Sequence, residues 1–147
     1  MQFSYEFSIV DVILLVIGIF IFVLIYTIFI IIKKNRYNDE VDKKFIEENW
    51  KKIEELLSYG KEINYKLAVI EADKLLDYIL KSMHFPGETT AERLKMATYR
   101  FPRLHEVWWA HKVRNLVVHD VQYVLKYNEA KKVLHLFKEA YREMKAL

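Results

Sequence analysis

VILLVIGIFIFVLIYTIFIII, residues 12–32, is a run of 21 residues without one charge. At about 1.5 Å per helical residue it spans roughly 30 Å, the thickness of a bilayer's hydrocarbon core. A buried core helix of the same composition needs protein on every side. A chain of 147 residues is too short to build such an interior around so long an apolar cylinder. The run therefore predicts a single transmembrane helix.

Its flanks orient it. MQFSYEFSIVD, ahead of the run, carries Glu6 and Asp11 but no Lys or Arg, whereas Lys33, Lys34 and Arg36 follow it directly. That asymmetry places the C-terminal side in the cytoplasm by the positive-inside rule and the N-terminus outside the cell membrane. The same flank argues against a cleaved signal peptide, because the basic start and the small-residue cleavage site are both missing. Phe3, Tyr5 and Phe7 are suited to anchor the outer interface. Gly18 stands alone in the span, so there is no GxxxG pairing face.

The expected organisation is a short tail at 1–11, the transmembrane helix at 12–32, a juxtamembrane linker at 33–40 and a cytoplasmic helical domain at 41–147. The chain has no cysteine, which removes disulfide and thiolate chemistry. All 23 Lys and Arg but only 18 of the 20 acids follow residue 32, so the soluble part has a net charge of about +5. That balance is compatible with anionic headgroups or RNA and demands neither.

Helical periodicity dominates the soluble part. From about Val41 to Leu57, Phe45, Ile46, Trp50, Ile53, Leu56 and Leu57 recur at three- and four-residue spacing, and Gly60 then ends the helix. From Glu62 to Met83 a wide apolar stripe, including Leu67, Ala72, Leu76 and Leu80, predicts a central helix. Pro86-Gly87 turns the chain. Thr89 and Glu92 have capping-box spacing for a short helix ending near Tyr99. After Pro102 a third long helix is expected from Arg103 to Val118. HDVQYVLKY reads as extended, and Asn128 as the N-cap of a last helix. The expected fold class is all-α: one transmembrane helix, then a four-helix bundle with a short extra helix.

Few residues suggest chemistry. HEVWWAH sets His105 and His111 six apart, on opposed helix faces, where a zincin helix needs them four apart. No metal or cofactor is expected from such a pattern, and no serine lies in a nucleophile elbow. Trp108 and Trp109 diverge by about 100°, which suits one to the core and one to an interface. The remaining stretch is HKVRNLVVHD, residues 111–120. Arg114-Asn115-Leu116-Val117-Val118-His119 resembles the R-x(4–6)-H motif of the HEPN superfamily, including the polar residue after the arginine. The long helix carrying Glu71 and Asp73, the Pro86-Gly87 turn and a closing helix begun by Asn128-Glu129-Ala130 are similar as well. The resemblance covers roughly residues 45–147.

The resemblance implies a compact helical bundle that pairs as a homodimer. It implies metal-independent RNA cleavage in some members and a non-catalytic binding role in others. On the first reading Arg114 neutralises the phosphate, Asn115 positions it and His119 transfers protons, with Glu71 and Asp73 in support. Arg114 and His119 point about 140° apart, so a shared site requires His119 at the helix end, where the dipole favours positive charge, or a second copy. On the other reading Arg114 pairs with Glu71 or Asp73 to hold the bundle or its dimer together. The expected function is a membrane-anchored binding and dimerisation module, with the endoribonuclease as the alternative. Expected partners are the bilayer, a second copy, RNA or a nucleotide, and an unidentified regulatory protein.

Overall fold

The computed structural model describes residues 9–38 and 42–147, and every element among them is helical. The first helix, α1, covers Ile9–Asn38. Its segment Ile9–Ile31 is long and apolar enough to cross a membrane, and every residue along it is exposed. The helix does not stop at Ile32. Lys33 to Asn38 continue it, through most of the segment expected to be a linker. No glycine or proline interrupts those residues, and Lys and Arg are good helix formers. At the other end the helix already includes Ile9 to Asp11, while Phe3, Tyr5 and Phe7 lie outside the described residues.

The rest of the chain forms a separate unit. Asp42 caps α2 (Lys43–Ser58) by accepting from the Phe45 N–H at 3.0 Å. Ile46, Trp50 and Ile53 form its buried face. Gly60, at φ 73°, supplies the left-handed residue after the helix. The central helix is α3 (Glu62–Ser82), which touches α2 and every later α-helix. Its buried stripe explains that position: Ala68, Val69, Ala72, Leu76, Ile79 and Leu80 are all fully covered.

The short α4 (Thr90–Arg100) carries the expected capping box, with Thr89 accepting from the Glu92 N–H and Glu92 reaching back. Gly87, at φ 146°, packs so closely that a Cβ would lie 2.8 Å from the Cβ of Glu92. Only glycine fits there. The third long helix begins later than its periodicity suggests. Pro102–Glu106 form a 3₁₀ turn with Leu104 buried, and α5 proper runs Val107–His119. Proline at the first position removes a donor that a helix start leaves unpaired anyway.

The final helix, α6, covers Tyr127–Glu143 and starts one residue before the expected cap Asn128. Its flanking residue, Lys126, makes no side-chain cap. Instead the hydroxyl of Tyr123 donates to Glu129 in the first turn, at 2.7 Å. Phe137 and Tyr141 fill the core from α6, and the Trp50 ring meets Tyr141 edge-on at 5.4 Å. Trp108 packs against the core, while Trp109 is partly exposed beneath the Lys132 ammonium, 4.7 Å from its centroid.

Candidate functional site

Asp73 breaks the apolar stripe of α3. It is 1% exposed, and a carboxylate so placed requires partners, because burying a bare charge is costly. Both partners come from α5. His111 and Arg114 are three residues apart and so share one face of that helix. His111 Nδ1 lies 2.6 Å from Asp73 Oδ1, and Arg114 Nε donates to Asp73 Oδ2 at 2.6 Å. Arg114 Nη2 also contacts Oδ2, which makes the guanidinium–carboxylate contact two-pronged. Arg114 Nη1 donates to Asn115 Oδ1 at 2.9 Å.

A second charged cluster stands one turn along α3. Asp77 Oδ1 accepts from Thr90 Oγ1 and Arg93 Nε, each at 3.0 Å, and Lys81 pairs with Oδ2 at 2.7 Å. Burial pushes the Asp77 carboxyl up, but the hydrogen bonds from Lys81, Arg93 and Thr90 outweigh it and hold the group below the usual aspartate value. Arg93 also donates to the carbonyls of Gly87 and Glu88, so it pins the turn before α4 to α3.

Between these clusters lies a polar cleft of about 440 Å³, walled by α3, the start of α4 and α5. His111, Arg114 and Asn115 form one wall, with Asp77, Lys81 and Arg93 facing them. His111 is only 7% exposed. Its Nδ1 is taken by Asp73, and its Nε2 has no hydrogen-bond partner among the described residues. Asp73 thus fixes the tautomer and orientation of the imidazole, a geometry suited to presenting Nε2 to a ligand.

A second hollow, about 430 Å³, follows the groove between α2 and α3. Phe45, Leu56, Tyr59 and Tyr78 line it together with Lys52, Glu55, Glu71 and Lys74. It is a half-apolar surface groove with both signs of charge.

The residues singled out from the sequence part company here. Asp73 meets Arg114, and Asn115 joins them. Glu71 does not: it pairs with Lys74 at 2.7 Å and lines the α2–α3 groove. Two residues along a helix is a rotation of about 200°, which turns Glu71 away from α5. His119 ends α5, exposed, and no hydrogen bond or ion pair among the described residues joins it to Arg114. One copy of the chain therefore does not bring Arg114 and His119 into one site. The histidine that does stand beside Arg114 is His111, which the motif did not select. Its signal was indirect: Asp73 occupies a position on an apolar stripe, and a basic pair three residues apart on a neighbouring helix is its natural complement.

Among the described residues no group of three or more His, Asp or Glu is placed to hold a metal ion. No protein-family model, curated protein or solved structure matches the chain. None of these comparisons supports the HEPN resemblance.

Proposed function

We propose that this chain is a membrane-tethered, non-catalytic binding and dimerisation module. On this reading α1 crosses the bilayer, Lys33, Lys34 and Arg36 hold the C-terminal side in the cytoplasm, and two copies pair through their soluble units. The observation that carries the reading is the α2–α3 groove. Phe45, Tyr59 and Tyr78 remain substantially exposed on it, Tyr59 at 55%. Its charged lining contains two lysines and two glutamates. Balanced charges and exposed aromatic rings suit such a face to meet a second copy of itself about a twofold axis.

The absence of cysteine allows a direct test in membranes. A single Lys52→Cys in the groove should form a disulfide-linked dimer of the full chain under mild oxidation. Lys131→Cys on the outer face of α6 should not. Tyr78→Glu should abolish the cross-link. Equal cross-linking at both positions, or none at residue 52 with a monomer by light scattering in micelles, would reject pairing through this groove.

One observation favours a second reading, metal-independent RNA cleavage. Arg114 and Asn115 do open onto the polar cleft, where they could meet a phosphate. On that reading His119 is contributed across a dimer. The full chain in micelles would cleave mixed RNA in excess chelator, and His119→Ala would abolish cleavage. RNA left intact by the wild type excludes it.

A further inference from the structure

RLKMATYRFPRLH, residues 93–105, contains Arg93, Lys95, Arg100 and Arg103 and no Asp or Glu. Arg93 is engaged by Asp77 and the turn at Gly87 and Glu88. The other three are exposed, Arg103 over 84% of its side chain. Lys95, Met96, Tyr99 and Arg100 stand three and four residues apart, so they share the outer face of α4. Tyr99 is 75% exposed, more than any other aromatic side chain among the described residues, and Met96 is 41% exposed. The bordering acids are largely engaged: Glu92 closes the capping box, and Glu143 pairs loosely with Arg103 at 3.5 Å. Glu106, beyond Arg103, is exposed.

This face lies at one end of the helical unit that follows α1. Phe45, in the first turn of α2, meets Tyr78 near the end of α3, with ring centroids 4.9 Å apart. Phe85, just past α3, meets Phe101 at the close of α4, at 6.3 Å. The start of α2, the end of α3 and the junction of α4 with the 3₁₀ turn are therefore neighbours. The α5–α6 connection marks the opposite end, where the Leu125 N–H donates to Glu62 at the start of α3. The 21 residues of α3 separate the two ends by about 30 Å. Val121, 97% exposed, belongs to that far end.

We infer that the outer face of α4 docks on anionic lipid headgroups. Met96 and Tyr99 enter the interface, while Lys95, Arg100 and Arg103 hold acidic lipids around them. The inference rests on α1 crossing the bilayer, but it assigns a second membrane contact outside the span and does not depend on the pairing of two copies. α1 ends at Asn38 and Asp42 caps α2, so the anchor leads the chain into the end of the unit that carries α4. A tyrosine suits the headgroup layer, because its ring is apolar and its hydroxyl stays wet. Basic residues beside it strengthen binding to acidic lipid by about fivefold each. The cytoplasmic leaflet, on the side where Lys33, Lys34 and Arg36 hold the chain, is the anionic one. Tethering also raises the local concentration of lipid far above that of a soluble polyanion. That favours headgroups over RNA as the occupant of this face.

The test reconstitutes the full chain, which has no cysteine, in lipid vesicles. One environment-sensitive fluorophore is attached at Met96→Cys or, at the far end, at Val121→Cys. In vesicles containing phosphatidylserine the label at 96 should shift to the blue and be quenched by lipid-borne quenchers, and the label at 121 should not. In pure phosphatidylcholine, or at high salt, the response at 96 should fall. Lys95→Gln, Arg100→Gln and Arg103→Gln together should lower the ratio of docked to free face by about a hundredfold, from about fivefold per charge. All three side chains are exposed, so the helical signal in circular dichroism should be unchanged. Equal responses at 96 and 121, a response at 96 indifferent to phosphatidylserine, or one that survives the triple variant would overturn the inference. A matching response to RNA added to phosphatidylcholine vesicles would assign the face to nucleic acid and overturn it too. Extraction with alkaline carbonate reports separately on α1. A chain that stays with the vesicles while its label at 96 remains in water keeps the anchor and rejects the docking, whereas a chain that washes off rejects both.

Discussion

Arg114 and Asp73 are 41 residues apart in sequence and 2.6 Å apart in space, and their contact ties α5 to α3. With His111 on the other carboxylate oxygen, this is the most deeply buried charged cluster among the described residues. Removing one member of such a cluster strands the others without water. Asp73→Ala should therefore destabilise the helical unit that follows α1 by about 3–5 kcal/mol. Replacing the pair together, as Asp73→Leu with Arg114→Leu, should recover a large part of that loss, because a buried ion pair is often no more stable than apolar residues of similar size. Thermal unfolding followed by circular dichroism measures both. A double variant as unstable as Asp73→Ala would show that the cluster does more than balance its own charges.

The Asp77 cluster predicts a sensitivity to acid. Its carboxyl is held below the ordinary aspartate value by Lys81, Arg93 and Thr90 against the opposing effect of burial. A group depressed in the folded state contributes stability above its unfolded value of about 3.9, and that contribution is lost as pH falls through the lower folded value. The turn at Gly87 and Glu88 should loosen there, since Arg93 joins it to Asp77. Hydrogen exchange at the start of α4 should accelerate below about pH 4. In Asp77→Asn the same exchange should be fast already at neutral pH and change less with acid.

Much of the helical layout was legible in the residues, and the reasons for the misses are physical. The apolar run of α1, the stripe of α3 and the Thr89–Glu92 box are local patterns, and each appears as helix or cap. Boundaries set by distant contacts were not legible. α6 begins before Asn128 because Tyr123 and Glu129 close its first turn, and the 3₁₀ turn at Pro102 follows from burying Leu104. The site was half legible for the same reason. Arg114 and Asp73 stand out as charges among apolar neighbours, but which of two histidines accompanies Arg114 depends on how α5 faces α3. The motif spacing pointed to His119, and the packing brought His111.

The clasp at the start of α6 predicts the opposite response in alkali. Burial and the hydrogen bond to Glu129 push the Tyr123 phenol up to about 12. A raised folded value means that the stabilisation is complete below the ordinary tyrosine value of about 10 and is lost as pH rises towards 12. Tyr123→Phe should be less stable than the wild type at neutral pH by about 1 kcal/mol, the net worth of one hydrogen bond. Above that range the two should converge. Burial also pushes the Tyr141 phenol up, so phenolate absorbance of Tyr123→Phe should keep a late step but with one tyrosine fewer than the wild type. An unchanged late amplitude would assign the step elsewhere.

His111 and His119 offer the sharpest contrast, because they share a helix and differ in everything around them. His111 is buried against Asp73, with the Trp108 ring edge-on at 6.2 Å. His119 is exposed at the last position of α5. His111→Ala removes a partner from a buried carboxylate and opens a void beside Trp108, so it should cost about 2–4 kcal/mol. His119→Ala removes at most a helix-end charge, worth about 0.3–1 kcal/mol. Chemical denaturation midpoints of the two variants decide between them. A large loss from His119→Ala would require a packing or dimer contact that one copy does not contain, and would shift weight to the composite site across two chains. A small loss from it, together with RNA left intact by the wild type, would leave His111, the histidine paired with Asp73, as the one of the two that the fold depends on.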